Sequence, residues 1–354
     1  MKIHPHCAMR TRRQILVLLA AGALCLSAAI PSAFAKTIEG VALDENFKPA
    51  ERAASMLEIA NTNSLALKDI KRVAISSFQV EFVTKGAASA SSYEIGKSGR
   101  ANTNVHITLV GLAQPDFQAI TDQLHGEFVR DLAAMKIEVV PTELVLKAAA
   151  YQKMASSGKP SPAETRTSNT WSTVYAPAGL GVYGLGASST TFALVGGFSA
   201  MSDVLTTMTG NLDLAKELDA TLVVVRLVVN FVDMKSSNSS WFGRSSGEAK
   251  VAWEFGPSVA AKSSFMSVTS QTDTVTMTLQ APLLINGSAF KEVKDVSSIA
   301  ANVGLALLSA AIGKGGSSTA IDKEAVADPE KYRAVVGAGL AAVREMFIER
   351  LRAP

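Results

Sequence analysis

Few side chains in this sequence combine into a reactive set. Beyond the amino-terminal stretch the only histidines are His106 and His125, and neither has a partner at ligand spacing. A zinc site would need carboxylates gathered from distant segments, because structural zinc takes Cys and His at short, regular intervals. A serine nucleophile is normally presented on a sharp G-x-S-x-G turn, which is absent from the sequence, and a triad would have to draw on one of those two histidines. Gly179-Leu180-Gly181-Val182-Tyr183-Gly184 has the letters of a dinucleotide fingerprint. That fingerprint needs a strand before it and a helix opening within it, whereas Ala176-Pro177-Ala178 precedes and a Ser/Thr run follows. Gly313-Lys314 lacks the upstream glycine and the following Ser or Thr of a phosphate loop. The residues therefore assign no catalytic, metal or cofactor-binding position. A distant carboxylate pair stays open, so an enzyme of unrecognised type remains one reading.

A different feature asks for a function. From Thr167 to Ser202 the chain runs 36 residues without Lys, Arg, Asp or Glu, although 18% of the sequence is charged. Trp171, Tyr175, Tyr183, Phe192 and Phe198 stand in it among Gly, Ser, Thr and Ala, and Trp241-Phe242 form a second aromatic pair. Uncharged, ring-bearing surface gains by leaving water and tends to find a partner. Three fates are open to the segment: a buried hairpin, contact with a partner subunit or apolar ligand, or contact with a membrane.

Composition narrows the partners. The first 35 residues carry four bases and no acid, then an apolar run Ile15–Ile30, then Ala33-Phe34-Ala35. Basic start, apolar middle and A-x-A exit are the parts of a secretory signal peptide. Arg12-Arg13 leaves the general secretory and twin-arginine routes both open. Of 34 bases and 31 acids in the whole chain, cleavage after Ala35 leaves thirty bases and a net charge of −1. No basic stripe remains for nucleic acid. Cys7 and Cys25, the only cysteines, both lie in the leader, so the exported protein is expected to hold together by its core alone. The expected location is the periplasm or the outer membrane.

The elements that must carry these features read as follows. After a lead over residues 36–69 with a helix in Pro49–Asn61, Ile70–Val83 is a strand. Its apolar parity slips at Ser76-Ser77, which predicts a bulge. Thr84–Thr103 reads as an exposed loop and Asn104–Val110 as a strand. Phe117, Ile120, Leu124, Phe128, Leu132 and Met135 form the stripe of a helix. Ile137–Val140 is a short strand, and Pro141-Thr142 opens a helix to about Met154. Thr221–Val232, apolar on both sides, belongs in mid-sheet, with Lys250–Phe255 as neighbour. Phe265–Thr269 and Thr274–Leu279 form a hairpin. Ser298–Ile312 and Pro329–Arg352 are helices. The order predicts an α/β fold, a mixed sheet with helices packed on its faces and a hairpin-bearing insert, in one domain over residues 70–354.

The segments KRVAISSFQVEF (71–82), the helix Phe117–Met135, KIEVVPTELVLKAAAYQKM (136–154) and DATLVVVRLVVNFVDM (219–234) together resemble the envelope domains related to the curli secretion channel and the TolB amino-terminal domain. The resemblance implies a strand, helix, short strand and helix, then a long strand entering the same sheet. It also implies a non-enzymatic envelope module that binds or assembles with other proteins. Two features depart from it: Leu24 precedes Cys25 where a lipoprotein needs a small residue, and the charge-free segment comes before the long strand. The expected role is binding or assembly with a protein partner or a second copy, with membrane or lipid contact. The alternative is a soluble protein that encloses an apolar small molecule.

Overall fold

The computed structural model describes residues 39–60, 65–67, 69–93, 100–156, 158–167, 169–183, 210–237, 250–297 and 318–352. The leader, the expected helix 298–312, and Phe192, Phe198, Trp241 and Phe242 lie outside the described residues. Within them the chain is mixed α/β, with one fourteen-stranded sheet and helices on both of its faces.

The sheet is organised around two long strands, β3 (Arg72–Tyr93) and β8 (Thr221–Ser237). They run parallel from Val73↔Thr221 to Phe82↔Val229, with a bulge between Ile75 and Ser77. The parity slip at Ser76 is therefore real. It keeps Val73, Ile75, Phe78, Val80 and Phe82 buried across the irregularity. The shorter strands are β1 (Val41–Leu43), β2 (Leu57–Ala60), β4 (Arg100–Val110), β5 (Glu138–Val139), β6 (Ala163–Arg166) and β7 (Thr170–Tyr175). After β8 come β9 (Lys250–Val259), β10 (Phe265–Thr269), β11 (Thr274–Leu279), β12 (Leu283–Ile285), β13 (Phe290–Asp295) and β14 (Ser318–Ala327). Along the main path the order is β1-β12-β9-β8-β3-β4-β14-β13.

Helices α1 (Pro49–Met56), α2 (Gln114–Ala134) and α6 (Pro329–Arg352) pack on one face. Helix α2 begins where Pro115 costs no hydrogen bond and where the Asp116 carboxylate accepts the Ala113 N–H at 2.8 Å. Its stripe meets the sheet through rings. Phe78 lies 5.8 Å from Phe128, and Phe82 lies 4.7 Å from Phe117. Arg344 of α6 ties the two long helices together through Glu127 and Asp131. Helices α3 (Thr142–Lys147) and α4 (Ala149–Ala155) and helical residues 210–218 (α5) follow on. Tyr151 of α4 reaches the opposite face of the sheet through Tyr183, whose carbonyl accepts the Gln79 side-chain N–H.

Three expectations need correction. The helix from Pro49 stops at Met56, and Leu57–Ala60 form an edge strand on β11 because alternating Leu57 and Ile59 match Leu279 and Met277. The helix from Thr142 breaks at Ala148, whose backbone is extended. In the expected loop Thr84–Thr103, the described residues 84–93 and 100–103 are strand. Strand β3 continues to Tyr93 and pairs with β4 from Lys85↔Thr108 to Tyr93↔Arg100. At about 3.3 Å per residue the 22-residue β3 spans about 70 Å, so its second half outruns α2. Together with β4 it forms a ribbon.

Candidate functional site

The second half of β3 carries a second irregularity, between Val83 and Lys85. The extra residue, Thr84, turns Lys85 to the face occupied by Phe82, the helix-covered side. From there outward this face is polar. Rows run across three strands: Lys85–Thr108–Glu324, Ala87–His106–Asp322, Ser89–Asn104–Ala320 and Ser91–Asn102–Ser318. His106 Nδ1 lies 3.2 Å from Asp322 Oδ1, with both side chains more than two-fifths exposed.

The first of these rows extends in both directions. Arg166 of β6 stands opposite Trp171 of β7, and Trp171 stands opposite Lys85. On the far side Glu324 stands opposite Lys294 of β13. The turn joining β6 and β7 is fixed by Thr167 N–H donating to Thr170 O at 2.9 Å and Thr170 N–H donating to Thr167 Oγ1 at 3.1 Å. Ala87 N–H anchors the turn to β3 by donating to Asn169 O at 2.8 Å. The result is a half-buried indole between two cations. Lys85 Nζ lies 5.0 Å and the Arg166 guanidinium 4.6 Å from the Trp171 ring centre. Because β6 and β3 flank β7 on opposite sides, the two cations approach the ring from opposite sides.

The inner face of the ribbon has small side chains. Gly86, Ala88 and Ala90 of β3 lie beside Val105 and Ile107 of β4, and Ala90, Val105 and Ile107 are buried. A Cβ on Gly86 would collide with the Met234 methyl, so β8 folds over β3 at this point. Strand β9 follows it across. Trp253 lies under Lys323 of β14, at 5.5 Å from Nζ to ring centre, and Phe255 meets Phe290 of β13 at 6.3 Å. The path from β9 to β13 thus curls until its ends touch. Asp295 holds Lys323 at 3.1 Å. Hydrogen bonds from Ser297, and then the Lys323 cation, keep the Asp295 carboxyl down at about 2.

The aromatic residues singled out in the sequence separate here. Trp171 belongs to the outer row. Tyr175 lies in the core, 5.5 Å from Phe117 and 5.8 Å from Phe82, and burial raises its hydroxyl pKa. Tyr183 is also buried, with its hydroxyl donating to the Ser76 carbonyl, and burial pushes its pKa far up. In these two positions the rings pack the interior. The charge-free segment therefore begins as a hairpin strand, β7, inside the sheet. Lys85 and Arg166 were missed because they reach Trp171 through cross-strand register, which local sequence does not display. Their only signal is that Arg166 and Trp171 flank a short Ser/Thr/Asn turn.

Among the described residues no three His, Cys, Asp or Glu side chains gather as a metal site, and no helix is long and apolar enough to cross a membrane. Between α2 and α6 an open groove of about 580 Å³ is lined by Ile120, Glu127, Glu330, Arg333 and Gly337. No family model matches the chain, and neither does any curated protein or solved structure.

Proposed function

We propose that this chain is an exported cell-envelope protein that acts without catalysis, by binding or assembling with other proteins, further copies of itself included. The observation that carries the reading is the ribbon. A strand of 22 residues is about four times the common length in globular sheets, and its outer half runs beyond α2, with one face packed on β8 and the other turned outward. It presents short polar groups in flat rows, with Ser89 exposed and its neighbours half-buried. Surface of this kind, carried on a rigid scaffold, suits contact with another macromolecule better than turnover of a small substrate.

The test is a shortened ribbon. Ala90 and Thr103 are cross-strand partners, so replacing the chain between them with Asn-Gly closes a tighter hairpin and keeps the buried Ala90 and Val105 in place. Sedimentation velocity and cross-linking in the envelope fraction then read association. Loss of association with an unchanged thermal unfolding midpoint is the expected result. Association equal to that of the parent chain would overturn the reading, as would full processing and release into the medium.

A further inference from the structure

We infer that the Arg166–Trp171–Lys85 row is a docking site for the phosphate groups of anionic lipid at a membrane surface. The row is built by three strands in fixed register, so its two cations are positioned before any ligand arrives. Among the described residues neither Lys85 nor Arg166 lies within ion-pair distance of a carboxylate. Arg72, Arg226, Arg333 and Arg344 all do. One ring thus brings two like charges together without an acid between them, and an external anion relieves that repulsion. The nearest acids on the same face are Glu164, two residues before Arg166, and Glu324, beyond Thr108. Asp322 is taken by His106.

The form of the site selects a surface over a free ion. Trp171 is half-buried, Arg166 is exposed, and the neighbouring rows are flat and carry short side chains. Small anions are held by enclosing pockets, whereas a cationic row on an open sheet face matches a plane of headgroups. Indole is also the side chain that settles at the bilayer interface, with its apolar body and its N–H in different layers. The lipid assignment rests on the envelope reading above. Its test is separate, because vesicle binding and protein association are measured independently.

The purified chain is sedimented with vesicles of phosphatidylglycerol and phosphatidylcholine in equal parts, and with phosphatidylcholine alone. Binding to the mixed vesicles is expected at about 50 mM salt, with loss near 0.5 M. Replacing both cations, Lys85→Gln with Arg166→Gln, should weaken partitioning about thirtyfold, roughly fivefold for each charge removed. Trp171→Phe should weaken it less. Lys153→Gln with Lys216→Gln removes the same charge from α4 and α5 and should have little effect. The charge-retaining pair Lys85→Arg with Arg166→Lys should keep binding. The inference is overturned by equal binding to neutral vesicles, by salt-insensitive binding of the parent chain, or by equal losses in the two glutamine pairs. It is also overturned if inorganic phosphate perturbs Trp171 fluorescence while vesicles do not bind, since the site then takes a free ion.

Discussion

Glu81 Oε2 lies 2.7 Å from Arg226 Nη2, and both side chains are nine-tenths buried between β3 and β8. They stand two residues out of register, on the same side of the sheet, since Gln79 is the residue opposite Arg226. The pair closes the polar side of the central strands, next to Gln79, whose amide donates to Ser77 Oγ at 2.8 Å and to Tyr183 O at 2.9 Å. Removing one partner leaves a charge in a dry site, so Glu81→Leu alone is expected to destabilise by about 3–5 kcal/mol. Glu81→Leu with Arg226→Leu should cost clearly less than the sum of the single changes. Urea unfolding of the four proteins measures the difference, and simple additivity would contradict the coupling.

His125 packs edge-on against Phe78 at 5.2 Å, and burial lowers its pKa below the ordinary 6.5, against the pull of Asp122. The unfolded chain then takes up a proton before the folded one. Stability from this site is complete above 6.5 and is lost as pH falls from 6.5 through the lower folded value. The parent chain should lose more stability between pH 7 and pH 5 than His125→Gln does. An identical pH profile for the two would count against it.

Two glycines of α6 have opposite surroundings. A Cβ on Gly337 meets nothing within 4 Å, whereas one on Gly339 runs into Ile285 of β12. Gly337→Ala should stabilise by about 0.5–1 kcal/mol through helix propensity. Gly339→Ala should destabilise by about 1–3 kcal/mol, because a buried branched side chain has little room to retreat. Thermal denaturation separates the two signs.

At Gly86 the obstacle is the Met234 methyl, the far end of a flexible chain. Gly86→Ala should therefore be mild, under about 1 kcal/mol, and Gly86→Val should cost about 1–3 kcal/mol. Adding Met234→Ala should recover part of the loss in Gly86→Val. A recovery of nothing would show that β8 does not meet β3 there.

Asp295 offers a spectroscopic check. With Ser297 hydrogen bonds and then Lys323 holding its carboxyl at about 2, a carboxyl-detected NMR titration should find a midpoint well under the ordinary 3.8. In Ser297→Ala the midpoint should rise.

Some of this architecture is written locally. The bulge at Ser76 is legible because Val73 and Ile75 have one parity and Phe78, Val80 and Phe82 the other. Helix α2 and the β10–β11 hairpin are legible because one periodicity holds from end to end, with Val275, Met277 and Leu279 all buried. The ribbon half of β3 is obscured because its alternation sets Gly and Ala against Lys and Ser, residues of low strand propensity. In β14 an inward lysine, Lys323, breaks the apolar pattern, and it is tolerated because Trp253 and Asp295 receive its charge. The outer row was hidden for another reason: Lys85, Arg166 and Trp171 become neighbours only when three strands find their register. Lack of charge marked Trp171, Tyr175 and Tyr183 alike, but only the packing around each ring separates a surface aromatic from an interior one.

Strand β3 is one backbone from the part gripped by α2 to the part that leaves it, and the bulge between them at Thr84 is bridged on both sides by β7. One backbone is laddered to β8 at one end and to β4 at the other, with β7 overlapping both. A load applied to the far tip is therefore not absorbed by a hinge. It is delivered lengthwise, as shear along the β3–β8 hydrogen bonds, so the tip behaves as the end of a lever whose fulcrum is the protein interior.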